Sequence, residues 1–364
     1  MKEIKFIPAG GFLGAGKTTS LIRLAEYLHL MNLKVCMITN DQGSLLVDGG
    51  LAKARGIGGA EVQKGCFCCR FDDMIREMDT LIRQQDPDVI LAEPTGSCTD
   101  LVATVFLPLA VRYPGRFRLM PYSVVLDGTL AAGLSDPGCF RFSGDIRYLY
   151  EKQMEESDIL LLNKTDRMNS EDKSGLLRQL TARYPEKTIL PVSALNGDGF
   201  EQWAGHLLQG EPGLNPLEEL DYGRYGQAEA LLGWYNASVC FEARRPFDPN
   251  DLVQDFLEGL ARSTAHTGGN IAHLKVLGAS QAGVIKASIV QTHEKAAFSN
   301  KAYDLVRRLD MIINARAELE PELLKGLVRE QIEKCSGNGL EAVIRQEECF
   351  KPAFPNPTYR EVHR

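Results

Sequence analysis

Short, nearly continuous apolar runs punctuate the first half of the chain: Ile4 to Ile7, Val35 to Ile38, Val89 to Ala92, Ser123 to Leu126, Ile159 to Leu162 and Ile189 to Val192. A strand with one wet face would alternate apolar and polar residues, so these runs predict strands of a mostly parallel sheet buried on both faces. Helical spacing fills the gaps. Met74, Met78, Leu81 and Ile82 recur at three- and four-residue intervals, with Asp72, Asp73, Arg76 and Gln84 on the opposite face. That is the signature of an amphipathic helix. Alternation of such strands and helices predicts an α/β fold.

The pattern changes near residue 208. Gln209-Gly-Glu-Pro-Gly-Leu-Asn-Pro and Asp221-Tyr-Gly-Arg-Tyr-Gly are too rich in turn formers for regular structure, so 209–232 reads as a linker. A smaller α+β domain over 233–335 follows. Trp234 to Glu242 alternates like a strand, and Asp248 to Ser263 reads as a helix capped at Asp248 with Pro249 in its first position. Ile271 to Leu277, Val284 to Gln291 and Leu309 to Ala315 predict three more strands, and Pro321 to Lys334 a closing helix. Residues 336–364 read as an extended, Pro-rich tail containing Cys349-Phe-Lys-Pro-Ala-Phe-Pro-Asn-Pro-Thr. No internal repeat is present.

The first domain, 1–208, carries the chemistry. Gly11-Phe-Leu-Gly14-Ala15-Gly16-Lys17-Thr18 is a complete GxxxxGK[ST] phosphate-binding loop, followed by Thr19, between the first strand and a helical stretch. Its glycines let backbone N–H groups turn toward phosphates, Lys17 reaches the β/γ-phosphates, and the Thr18 hydroxyl is placed to hold Mg²⁺. Asn163-Lys164-Thr-Asp166, at the end of an apolar strand, points to guanine. A carboxylate accepts from both N1–H and N2–H₂ of guanine, a donor pair adenine lacks. In that reading Asn163 braces the loop and the Lys164 stem covers the base. Ser193-Ala194-Leu195, after a further strand, matches an element whose backbone N–H meets guanine O6.

Gly65-Cys66-Phe67-Cys68-Cys69-Arg70 places three thiols within four residues. Thiolates are soft and suit Zn²⁺, Co²⁺ or Cu(I), so the cluster reads as a metal site. Two other readings stay open: buried apolar cysteines, and a Cys66/Cys69 redox pair at CxxC spacing. The helix that starts just after the cysteines would favour thiolates through its dipole.

Composition narrows the class. A net charge of −7 offers no field for polyanions, so neither nucleic acid nor an anionic membrane surface is an expected partner. Nine cysteines, an odd number with three clustered, suit a reducing compartment better than a disulfide framework. Met1-Lys-Glu-Ile-Lys runs straight into the first strand, leaving no room for a signal peptide, and no long apolar stretch appears. A cytoplasmic location is expected. The six histidines are scattered and read as surface or core residues.

Taken in order, Gly10 to Thr19, Asn40-Asp41-Gln42-Gly43 running to Asp48, Gly65 to Cys69, Glu93-Pro-Thr-Gly96 and Asn163 to Asp166 resemble the CobW/HypB/UreG family of metallochaperone GTPases, on its CobW-type branch. The resemblance implies a SIMIBI-like P-loop NTPase domain with a CobW-type C-terminal domain. It implies that Asp48 lies in switch I near Mg²⁺ and the attacking water, and that Glu93 is a Walker B-like carboxylate acting on Mg²⁺ through water. It further implies that Cys66, Cys68 and Cys69 form a nucleotide-sensitive site for Zn²⁺ or Co²⁺. Asp41 stands where many relatives carry Glu, and the His-rich tract of many zinc carriers is missing. The function so implied is a slow GTPase that delivers a metal, or a corrinoid-type cofactor, to a client metalloenzyme or corrinoid protein; a homodimer is compatible with it. The alternatives are a GTPase that remodels a cobalamin-dependent enzyme without carrying metal, a P-loop kinase, and a non-enzymatic thiol or metal buffer.

Overall fold

The structure is a computed structural model that describes residues 2–41, 57–63, 65–135, 139–337 and 339–362. Asp48 lies outside the described residues. The chain divides into two compact units, one of residues 1–42, 48–225 and 355–364, the other mainly of 226–354.

The first unit is built on an eight-stranded sheet. Its strands are β1 (Ile4–Gly10), β2 (Val35–Asp41), β3 (Gly58–Gln63), β4 (Val89–Glu93), β5 (Phe117–Leu119), β6 (Ser123–Asp127), β7 (Ile159–Asn163) and β8 (Thr188–Pro191). They lie in the order β3-β2-β4-β1-β6-β7-β8, with β5 also pairing β1. Every ladder is parallel. Strands β4, β6 and β7 are buried along their whole length, which is why they read as unbroken apolar runs. Parallel strands end on the same side, so Gly10, Glu93, Asp127 and Asn163 gather at one edge of the sheet. The strand order also reverses direction at β1, where ligands settle in open α/β folds.

Two strands carry no apolar signal. The sequence Gly-Gly-Ala-Glu-Val-Gln of β3 is a sheet edge, and β5 is only three residues long. The helix Phe71–Gln85 buries Phe71, Met74, Ile75, Met78 and Leu81, three of the four residues its spacing predicts together with Phe71 and Ile75, while Ile82 is only half-buried.

The second unit holds a six-stranded antiparallel sheet: β9 (Leu232–Phe247), β10 (Asn270–Ser280), β11 (Gly283–Ile289), β12 (Ala297–Asn300), β13 (Val306–Glu318) and β14 (Leu340–Phe350), in the order β12-β11-β10-β13-β9-β14. The helices Pro249–His266 and Pro321–Cys335 supply Val253, Phe256, Leu260, Leu324 and Val328 to the same core as Val239, Phe241, Val276 and Met311. Asp248 caps the first of these helices, accepting from Asn250 N at 2.7 Å.

The boundaries expected from sequence need correction in two places. The segment 209–232 contains the helix Tyr222–Ala230, whose two glycines and two tyrosines mask it. Residues 340–350, expected in the tail, form β14 beside β9. Glu341, Arg345, Glu347 and Glu348 belong on an edge strand, and a register shift between Ile344 and Gln346 breaks the period that would reveal it. Among the described residues no helix is long and apolar enough to cross a membrane.

Candidate nucleotide and metal site

The phosphate loop joins β1 to the helix Lys17–Leu30 at the centre of the sheet. Gly16 has φ 97°, and a Cβ there would stand 2.5 Å from Asn163 Nδ2, so only glycine fits. The loop is thereby packed against Asn163 at the end of β7. Lys17 Nζ donates to the carbonyls of Gly11 at 2.8 Å and Phe12 at 3.2 Å, which holds the ammonium over the loop. Thr18 Oγ1 donates to Glu93 Oε1 at 2.9 Å, with both side chains buried. A hydroxyl and a carboxylate held together are hard oxygen donors, the set that suits Mg²⁺. Gly96 sits close by: a Cβ there would meet Lys17 Nζ at 2.8 Å and Leu13 N at 3.0 Å. The Glu93-to-Gly96 turn therefore rests directly on the phosphate loop.

Asn163 fastens three segments. Its Nδ2 donates to Ala15 O at 2.8 Å and its Oδ1 accepts from Ala194 N at 3.0 Å. Ala194 N–H is thus engaged inside the protein. Asp166 is exposed, and Ser193 Oγ donates to its Oδ1 at 2.6 Å, orienting the carboxylate. Lys164, at φ 63°, donates from Nζ to Gly14 O and to Asp127 Oδ2, both at 2.7 Å. Asp127 is a site residue that sequence reasoning missed. Burial alone would push its carboxyl up, but the Lys164 charge and hydrogen bonds from Lys164 and Thr129 hold it below the usual carboxylate range. Its signal was its position at the end of an apolar strand, which it shares with Glu93.

The cysteine turn follows β3 and precedes the helix Phe71–Gln85. Cys66 Sγ lies 3.0 Å from Cys68 Sγ and 3.1 Å from Cys69 Sγ, and Cys68 lies 3.8 Å from Cys69. All three sulfurs fall within 4.8 Å of one another, and all three are free thiols. Soft donors converging this closely fit a late divalent ion. The expected thiolate character is corrected: hydrogen bonds from Cys66, Cys69 and Cys98, with burial, push the Cys68 thiol well up. The Cys66 hydrogen bond does most to push Cys69 up to about 11. Mutual hydrogen bonding and burial favour the protonated Cys68 and Cys69 thiols, so metal entry must displace protons.

Asn40, at the end of β2, ties this turn to the Glu93 turn. Its Nδ2 donates to Val62 O at 2.9 Å and Gly65 O at 2.6 Å, while its Oδ1 accepts from Phe67 N at 3.1 Å and Thr95 Oγ1 at 2.7 Å. One amide thus joins the cysteine turn to the turn whose Glu93 meets Thr18. The far end of the chain also reaches the turn. Asn356 N donates to Cys69 Sγ at 3.3 Å, and Thr358 donates from N to Cys68 O at 2.8 Å and from Oγ1 to Cys69 O at 3.1 Å. Arg360 Nε then donates to buried Asp100 at 2.8 Å. No local pattern announces contacts across so much chain.

Phosphate loop, buried carboxylate and the Asn163-to-Asp166 loop at one edge of a parallel sheet define a P-loop nucleotide-binding domain. The profile of the CobW/HypB/UreG nucleotide-binding domain matches residues 6–191, and the chain belongs to that family. It is 29% identical over 208 residues to the zinc chaperone CobW of a Sinorhizobium species, covering 52% of this chain and 58% of that protein. Against the zinc-regulated GTPase metalloprotein activator 1 of Schizosaccharomyces pombe it is 30% identical over 200 residues, covering 51% and 42%. The chain thus spans about half the length of these curated relatives. Zinc-bound YjiA GTPase of Escherichia coli aligns in structure over 91% of this chain and 99% of its own, at 16% identity and TM-score 0.33. HypB of Helicobacter pylori in complex with nickel covers 57% and 87%, at 17% identity and TM-score 0.41.

Proposed function

We propose that this protein binds and slowly hydrolyses GTP and uses the cycle to hold and release a soft divalent metal, Zn²⁺ or Co²⁺, for a client metalloprotein. Gly11, Gly14, Ala15, Gly16, Lys17 and Thr19 cradle the phosphates, Thr18 and Glu93 serve Mg²⁺, and Asp166, braced by Ser193, reads guanine. Bound Mg²⁺ would supply charge neutralisation between the β- and γ-phosphates. Cys66, Cys68 and Cys69 hold the metal. The observation that carries this reading is the hydrogen-bonded path Thr18–Glu93, Thr95–Asn40, Asn40–Gly65 and Phe67, which makes the nucleotide loop and the cysteine turn neighbours in one network. To swing retention from favoured to disfavoured takes roughly 3–5 kcal/mol of differential affinity. Contacts to a γ-phosphate at Lys17 and Gly96 act on the turn that Asn40 reads.

The metal half is tested by titrating the reduced protein. One equivalent should bind, with proton release and rising affinity as pH increases through neutrality, because thiols held above their ordinary range must deprotonate. Bound Co²⁺ should give sulfur-to-metal charge-transfer absorption. Replacing Cys66 and Cys68 together by Ser should erase it while the thermal melt stays cooperative. Unchanged one-to-one affinity in that double variant would return the thiols to a packing role.

A further inference from the structure

We infer that residues 356–361 form a strap that closes the cysteine turn over its metal and sets how fast the metal leaves. The inference rests on the reading that Cys66, Cys68 and Cys69 bind a soft divalent ion. Cys66 and Cys68 are buried and Cys69 is half-buried, so Cys69 is the sulfur an incoming ligand meets first. The strap is bonded to that sulfur.

Three hydrogen bonds seat it. Asn356 N donates to Cys69 Sγ at 3.3 Å, and Thr358 donates from N to Cys68 O and from Oγ1 to Cys69 O, at 2.8 and 3.1 Å. An N–H aimed at a sulfur favours its thiolate, so the strap stabilises the metal-binding form of Cys69 and orients it. Pro355 and Pro357 flank Asn356 and restrict the backbone on both sides of that N–H. An extended segment stiffened in this way loses little freedom when it docks.

The next three residues anchor it. Tyr359 packs edge-on against Phe71, the first residue of the helix after the cysteines, with ring centroids 5.3 Å apart, and the Arg112 guanidinium stands 3.7 Å over the Tyr359 ring. Arg360 Nε donates to Asp100 Oδ2 at 2.8 Å, an oxygen that also accepts from Tyr222 Oη at 2.6 Å. Glu361 N donates to Ala103 O at 2.8 Å. Asp100 is fully buried, so lifting the strap strips a buried carboxylate of its cationic partner. That cost makes the strap a latch and not a loose end. Seated, it covers Cys69 and the ion stays. Lifted, it lets a client's thiolate or imidazole reach the ion: one metal–ligand bond to the client forms, the metal–Cys69 bond breaks, and the Cys69 thiolate takes a proton from solvent.

The test is the rate at which Zn²⁺, bound one-to-one to the reduced full-length protein, passes to excess chelator, with Co²⁺ absorption read beside it. The double variant Tyr359→Ala/Arg360→Ala removes two anchors and leaves every cysteine. It should still bind one equivalent but release it about tenfold faster or more, the scale on which partners of ligand groups act. Asn356→Pro, at an exposed position, removes the N–H given to Cys69 while the anchors stay. It should also speed release and move the sulfur-to-Co²⁺ charge-transfer band to lower energy, because the sulfur loses a donor that held its electrons. A wild-type release rate in the folded double variant would overturn the strap and leave the triad intact. If the double variant does not fold, Asn356→Pro decides alone, and a wild-type rate with an unmoved band would overturn the strap. Failure of the wild-type protein to bind one equivalent through sulfur would remove the triad reading and this inference with it.

Discussion

Lys17→Ala is expected to lower GTP turnover by on the order of 10²–10³-fold, the usual cost of removing one preorganised group that meets developing charge. The ammonium is already aimed at the loop mouth by the carbonyls of Gly11 and Phe12, so little reorganisation precedes its contact with phosphate. Thr18→Ala removes the hydroxyl that meets Glu93 and should act as strongly, through loss of Mg²⁺. Glu93→Gln keeps the shape and removes the charge, so it should lower kcat more than it weakens nucleotide binding. Wild-type turnover without a partner should be well below ~1 s⁻¹, as for GTPases with no arginine finger in place. Steady-state phosphate release with nucleotide affinity measured in parallel separates these effects. A wild-type rate in Glu93→Gln would remove that carboxylate from the chemistry.

GTP should bind at least ~100-fold more tightly than ATP, because a charge-assisted bidentate contact is worth roughly 2–3 kcal/mol and adenine cannot make it. In the proposed reading Asp166 is the reader. Its carboxylate is exposed to an incoming base, and the Ser193 hydroxyl holds one oxygen in place. Asp166→Asn should weaken GTP by a similar factor and improve xanthosine triphosphate, whose C2 oxygen can accept from the new amide. Competition binding against a fluorescent guanine nucleotide reads both changes. Equal affinity for ATP and GTP would sink the guanine assignment.

The parts legible in the sequence are those whose groups are contiguous. A phosphate loop needs Gly16, Lys17 and Thr18 in one turn, and a base reader needs Asn163 and Asp166 in another, so each leaves a local pattern. The buried strands β4, β6 and β7 were equally plain because water touches neither face. What stayed hidden is what the fold assembles from separate places. Asn40 looks like one more residue of a switch segment, yet its amide is what joins the cysteine turn to Thr95. Asp127 is a single residue marked only by its place at the end of an apolar strand. Strand β14 escaped because its charges suit an edge, and Thr358 and Arg360 lay in a stretch whose prolines suggested only an extended tail. The upward shift of the Cys68 and Cys69 thiols was likewise out of reach, since it comes from sulfurs hydrogen-bonding one another and from burial.

The central claim is coupling between nucleotide and metal, and the direct measurement is Zn²⁺ affinity of the reduced protein with GDP and with a non-hydrolysable GTP analogue, each with Mg²⁺. Linkage requires that the ratio of the two metal affinities equal the ratio by which bound metal changes preference between the two nucleotides. The network through Glu93, Thr95 and Asn40 predicts a ratio of at least tenfold, falling toward one in Asn40→Ala, which cuts the path while leaving all three cysteines of the turn. Equal Zn²⁺ affinity with GDP and with the analogue in the wild-type protein would contradict the account, leaving a nucleotide site and a metal site that share a domain without communicating.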